Sequence, residues 1–299
     1  MVRLDAYGIK SRIMCEQESF DKDRQEFERQ GLVTRRQFGI LLGAGVAMML
    51  PKVANAATVR ESDVEIKTPD GVADAYFVHP SKGSAPGVVI WPDIFGLRPA
   101  FRDMGKRLAQ SGYAVLVVNP FYRTHKAPTA EKGTATPISD LRPLAASLTE
   151  ATELTDAKAF VAWLDTQKAV DEHRKIGTQG YCMGGPLAFR TAVAVPDRVG
   201  AVATFHGGGL VTDKPNSPHL EAAQTKAQFL IAIAANDDAR SPKDKDTLKE
   251  TFAKANLPAE IEVYEGAAHG WCPPDSSVYN EPKAEKAWAR LLALYQKAL

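Results

Sequence analysis

Cysteine is scarce in this sequence: three occur among 299 residues. They are too few and too scattered for a disulfide framework or a zinc site. Neither sign of charge is in excess, since 37 Lys and Arg face 36 Asp and Glu, for a formal net charge of +1. That balance offers no basic surface for nucleic acid and no acidic solvating tail. The apolar run from Gly39 to Leu50 covers about twelve residues, short of the roughly 20 that a membrane-crossing helix needs. What the chain does hold is typical of a soluble globular protein, with 44% hydrophobic and 24% charged residues. Its length allows a large domain with a substantial core. No metal or organic cofactor is implied.

The first 56 residues read as an address. Val33-Thr34-Arg35-Arg36-Gln37-Phe38 precedes the short apolar run, and Ala54-Asn55-Ala56 closes it. A positive region, an apolar region and an A-x-A ending form the layout of a secretory signal peptide. The arginine pair, with Phe38 two residues after the second, resembles the twin-arginine signal that exports folded proteins. Cleavage is expected after Ala56, giving a periplasmic or secreted domain over residues 57–299. Cys15 leaves with the leader, and Cys182 and Cys272 remain.

Beyond the leader, short β-branched runs alternate with helical patterns, the sign of an α/β domain with a mostly parallel sheet. Val64–Thr68 and Ala75–Val78 flank Pro69-Asp70-Gly71 and read as an opening hairpin. Gly87–Trp91 and Ala114–Val118 are continuous apolar runs, as expected of strands buried on both faces. Further strands are expected at Lys175–Gly180, Val199–Phe205, Phe229–Ala235 and Ile261–Tyr264. Helices are expected at Phe101–Ser111, Leu148–Thr166 and about Pro282–Ala298. Residues 123–147, with Pro128, Gly133, Pro137 and Pro143, read as an irregular excursion.

Chemistry concentrates in Gly180-Tyr181-Cys182-Met183-Gly184-Gly185, between an expected strand and an expected helix. It is a G-x-S-x-G nucleophile elbow with cysteine in place of serine, where glycines let a strand turn sharply into a helix. The Met183 N–H, at the helix start, is placed to meet a developing oxyanion. A thiol nucleophile needs a base and a group to orient that base. His269, in Gly266-Ala267-Ala268-His269-Gly270, follows the last expected strand and is the candidate base. Asp237 and Asp238 both stand where the strand Phe229–Ala235 ends. Nucleophile, acid, histidine is the chain order of α/β-hydrolases.

These motifs, with Trp91-Pro92-Asp93-Ile94-Phe95-Gly96 after the first buried strand, resemble the dienelactone hydrolase family. Those carboxymethylenebutenolidase-like proteins use Cys-Asp-His, and the resemblance covers nearly all of residues 60–299. It implies an α/β-hydrolase fold, a mostly parallel central sheet with helices on both faces. It favours Asp238 as the acid, four residues before Pro242, with Asp237 as the alternative. It implies that the Ile94 N–H is the second oxyanion donor and that Asp93, where family members typically carry Glu, touches the thiol. Arg123 matches an arginine that binds a substrate carboxylate in the family. The family's second such arginine falls at Pro273, and Trp271 before it gives the pocket a more apolar wall. His206 stands where relatives often carry Tyr, and is expected to line the pocket. Cys272, three residues from the base, raises the question of a disulfide with Cys182.

The function expected from all this is hydrolysis of a small ester or lactone through an acyl-thioester, by a monomer that needs no cofactor. Its partners are the small-molecule substrate and, during secretion, the twin-arginine export machinery. Alternatives are a carboxylesterase or acyl transferase with a different acyl substrate, or a catalytically silent ligand-binding homologue.

Overall fold

A computed structural model describes residues 50–299. The twin-arginine segment and the apolar run up to residue 49 lie outside the described residues. Eight strands form one sheet: β1 (Val59–Thr68), β2 (Gly71–Pro80), β3 (Gly87–Trp91), β4 (Ala114–Val118), β5 (Ile176–Tyr181), β6 (Val199–Phe205), β7 (Gln228–Ala234) and β8 (Ala259–Tyr264). Their order across the sheet is β1-β2-β4-β3-β5-β6-β7-β8. The opening hairpin is present, with Thr68 opposite Gly71. β2 also pairs antiparallel with β4, and every later pairing is parallel.

Seven α-helices are described: α1 (Pro99–Gln110), α2 (Ile138–Ala146), α3 (Glu150–Asp165), α4 (Gly184–Ala194), α5 (Ala235–Arg240), α6 (Asp244–Lys254) and α7 (Glu281–Ala298). α3 starts on a capping box, in which Thr149 and Thr152 each accept from the other's backbone N–H. The excursion is less irregular than expected, because α2 forms inside it despite Pro143. No described helix is long and apolar enough to cross a membrane.

Strand alternation builds two cores. Val89, Trp91, Leu116 and Val118 face a cluster with Phe160, Leu164 and Leu187 from α3 and α4. Val88, Ile90, Val115 and Val117 face the opposite cluster with Phe101, Leu108, Leu291 and Tyr295 from α1 and α7. Helices on both faces explain why β3, β4 and β5 are buried along their whole length. The chain leaves β3 toward β4 on one side and returns to β5 on the other. The β3/β5 boundary is therefore a topological switch point, where open α/β sheets place their ligands, beyond the strands' carboxyl ends.

Candidate active site

Steric necessity shapes the bend after β5. Cys182 has φ of 52°, a left-handed conformation that a non-glycine residue adopts at a cost. A Cβ on Gly180 would stand 1.8 Å from the Gly184 carbonyl oxygen, and one on Gly185 would stand 2.7 Å from Gly207 Cα. A Cβ on Gly184 would meet the carbonyl oxygens of Trp91 and Pro92 at 2.2 and 2.6 Å. Glycine is thus required at all three positions, and the elbow abuts the end of β3. The turn is fixed by bonds from Cys182 N to Phe205 O at 3.1 Å and from Gly185 N to Cys182 O at 3.0 Å.

That close approach brings the loop after β3 beside the start of α4. Ile94 and Met183 are both half-buried. Among the described residues, neither donates its backbone N–H to a protein carbonyl. Both N–H groups are thus left without a backbone acceptor, a property that donors to an oxyanion need. Asp93 has other partners than the expected thiol. Its Oδ1 and Oδ2 accept from Arg98 Nη1 and Nη2 at 2.7 and 3.0 Å, and Oδ1 also accepts from Phe95 N at 2.9 Å. Both oxygens of this short side chain are thus bound by a guanidinium fork, and no hydrogen bond from it to the Cys182 thiol is present among the described residues.

His269 follows β8 and Asp237 follows β7, and the two meet: Nδ1 lies 2.7 Å from Asp237 Oδ2. The His269 N–H donates to Asn236 Oδ1 at 2.8 Å, and Ala235 N donates to Ala267 O at 2.9 Å, so the two loops are tied twice more. Cys182 also acts electrostatically on the imidazole. Burial alone disfavours the imidazolium, yet the charges of Asp237 and Cys182 outweigh it and hold the His269 pKa well above the usual histidine range. Asp238 is corrected as the partner of His269. Both its oxygens accept from Lys245 Nζ, at 2.8 and 2.7 Å. The cause is α5: adjacent residues on a helix point about 100° apart, so one aspartate faces the histidine and the next faces away.

Three further expectations change. The Arg123 guanidinium is occupied by Asp156, at 2.8 and 2.7 Å, and by Asp70, at 3.1 and 2.6 Å, which leaves it no free edge for a substrate carboxylate. His206 is 1% exposed and so presents almost no surface to a ligand; its ring packs 5.0 Å from that of His269 and 5.1 Å from that of Trp271. Burial and the nearby His269 charge push its pKa well down, so it stays neutral. Trp271 is fully buried and stacks on Tyr264 at 5.2 Å, a core contact in place of a substrate wall. Cys182 and Cys272 are both free thiols, and burial pushes the Cys272 pKa up. The sequence reading missed Asn236 and Arg98. Arg98-Pro99 at a helix start, five residues after a buried aspartate, was the available signal for the latter.

A cysteine on a strand-to-helix elbow, with an Asp–His pair from the next loops over a mostly parallel sheet, defines an α/β-hydrolase. The profile of the dienelactone hydrolase family matches residues 73–299. The chain belongs to that family, and its enzyme class is a hydrolase of esters or lactones. It is 28% identical over 239 residues to the carboxymethylenebutenolidase of Rhodococcus opacus, covering 78% of this chain and 90% of that one. A crystal structure from Klebsiella pneumoniae, provisionally designated a dienelactone hydrolase, superposes with a TM-score of 0.71 at 25% identity. That match covers 80% of this chain and 99% of the other. The fold also matches a dienelactone hydrolase-like promiscuous phosphotriesterase from metagenomic libraries, with TM-score 0.68 at 20% identity, over 81% of this chain and 99% of that one.

Proposed function

We propose that the protein hydrolyses a small ester or lactone by covalent catalysis at Cys182. His269 and Asp237 complete the triad, and the N–H groups of Met183 and Ile94 serve as oxyanion donors. One observation carries this reading: His269 is bonded to Asp237 at 2.7 Å and its pKa is raised by both Asp237 and Cys182, the latter on its left-handed turn. The thiolate attacks the carbonyl carbon, and the oxygen's new negative charge falls to the two N–H donors. Collapse breaks the C–O bond, and the His269 imidazolium gives its proton to the leaving alkoxide. The neutral imidazole then takes a proton from water, whose oxygen attacks the thioester. A second collapse expels Cys182 as thiolate and releases the acid. Asp237 holds the imidazole in one orientation and stabilises its charged form throughout.

Incubation with p-nitrophenyl acetate, followed by peptide mass spectrometry, tests this. The expected result is an acetyl group on Cys182 and none in Cys182→Ala. Turnover without an adduct on Cys182, or full activity in Cys182→Ala, would overturn it.

Export belongs to the same proposal: residues 1–56 act as a twin-arginine-type leader. In its support, the tie from Ala57 N to Gln110 O, at 3.0 Å, and β1 both lie beyond the expected cut. N-terminal sequencing of periplasmic protein should begin at Ala57. An uncut chain retained in the cytoplasm would exclude it.

A further inference from the structure

Two loops must be held in place for the proposed chemistry: the one after β3, with Ile94, and the one after β8, with His269. Among the described residues, no backbone hydrogen bond joins residues 93–98 to residues 269–280. The connection is made by a side chain, Arg98, which is 3% exposed. Its guanidinium grips Asp93 through Nη1 and Nη2 at 2.7 and 3.0 Å. From the opposite edge, Nε and Nη2 reach Asp275 at 2.6 and 3.0 Å, across 177 positions in sequence. Nη1 also approaches the Gly96 carbonyl oxygen at 3.4 Å, and the Phe101 ring lies 4.8 Å from the guanidinium carbon.

Position gives this clamp its meaning. Asp93 immediately precedes Ile94, and Asp275 lies in the segment that leads from His269 to α7. A planar guanidinium with its N–H groups in a fixed fork sets both the distance and the orientation between two carboxylates, which a lysine ammonium does not. The excursion reinforces both ends, since Thr129 Oγ1 donates to Phe95 O at 3.3 Å and Thr134 Oγ1 donates to Asp275 O at 3.0 Å. Burial works against the Arg98 charge, but its two carboxylate partners outweigh that and keep it cationic.

We propose that Arg98 is a positioning residue which, by bridging Asp93 and Asp275, keeps the Ile94 oxyanion donor and the His269 base in register over Cys182. This rests on the function proposed above. Misplacing a catalytic group by about 1 Å costs on the order of 10²-fold in rate, so a flexible link in the clamp's place should be costly.

The test compares wild type, Arg98→Lys, Asp275→Asn and the double variant. Measurements are hydrolysis of p-nitrophenyl acetate from pH 5 to 9, thermal unfolding, and hydrogen exchange of the two loops. Each single variant should lose about 10- to 100-fold in kcat, with KM within about twofold and folding retained. The double variant should lose no more than the worse single one. The pH profile should shift as the Asp237–His269 contact loosens, and the amides of both loops should exchange faster together. Asp275 is about one-third exposed at its side chain, so its variant keeps the test readable where Arg98→Lys fails to fold. Near wild-type kcat in either folded single variant, independent losses that multiply, or faster exchange in one loop only would overturn the clamp. A wild type that turns over no ester sinks the functional reading instead, and exchange then decides the clamp alone.

Discussion

The Asp237 carboxylate meets His269 Nδ1 at 2.7 Å, while the adjoining Asp238 is ion-paired with Lys245. Asp237 is also bonded to Arg240, its Oδ1 lying 3.2 Å from Nη1 on the same helix. The two aspartates therefore differ in task, although both follow β7 and both are half-buried.

Separate substitution of the pair should resolve those tasks. Asp237→Asn should lower kcat by on the order of 10³- to 10⁴-fold, as loss of the orienting carboxylate does in other triads. Asp238→Asn removes only a partly exposed ion pair and should change kcat by less than about threefold. NMR titration of the His269 ring supplies the pH arm. Its pKa is raised in the folded wild type, so the imidazolium persists as pH rises through the ordinary histidine value near 6.5. The stability it contributes is complete below that value and is lost only as pH passes the higher folded pKa. In Asp237→Asn the leading upward influence is gone and burial remains, so the ring should deprotonate at lower pH. An unchanged titration would separate Asp237 from His269 in function.

Much of the fold was legible because periodicity and burial agree. The run Val199–Phe205 is a strand with the expected ends, and Gly87–Trp91 and Ala114–Val118 are strands buried throughout. The elbow was legible because its glycines are sterically compelled. α6 was not, since only Leu248 and Phe252 are buried along its length, one i,i+4 pair in a charged segment. The Asp237/Asp238 choice was hidden for a related reason. It depends on the phase of a six-residue helix, which the spacing to Pro242 does not set. The ion pairs of Arg123 with Asp156 and of Asp93 with Arg98 were not legible, because they join side chains whose meeting depends on the packed loops.

His206 should make the protein sensitive to acid. Its folded pKa is depressed by burial and by His269, and neither ring nitrogen has a hydrogen-bond partner among the described residues. Below pH 6.5 the unfolded chain binds a proton there that the folded chain refuses, so stability falls with pH. His206→Phe forfeits no hydrogen bond and removes that linkage. Relative to wild type it should gain stability as pH falls from 7.5 to 5, by at most about 2 kcal/mol at 1.4 kcal/mol per unit. Urea unfolding at the two pH values measures this. Parallel pH dependence in both proteins would remove the linkage from His206.

Gly184→Ala tests the contact that brings the two proposed oxyanion donors together. The added methyl would stand 2.2 Å from the Trp91 carbonyl oxygen, on backbone at the end of β3. Relief requires the elbow and the Ile94 loop to move apart. Overpacking of this kind costs about 1–3 kcal/mol of stability. Loss of one oxyanion donor costs on the order of 10²- to 10³-fold in kcat. Thiol labelling of Cys182 should persist, because the sulfur stays on its turn. Loss of turnover with labelling of the buried Cys272 as well would point to general unfolding instead.

Arg123 should matter to folding and little to substrate charge. Asp156 is buried on α3 and receives bonds from both Arg123 and the Tyr122 hydroxyl, the latter at 2.7 Å. Burial drives the Asp156 pKa up, and these two donors pull it back. Arg123→Met would leave that carboxylate without its cation, a loss of roughly 3 kcal/mol by analogy with other broken buried pairs. Asp156→Asn in the same chain should recover part of it, since the uncompensated charge is then gone. KM for an ester bearing a free carboxylate should change no more than KM for its neutral analogue, because the guanidinium already spends its donors on Asp70 and Asp156. A selective rise in KM for the anionic ester would restore Arg123 to the binding site.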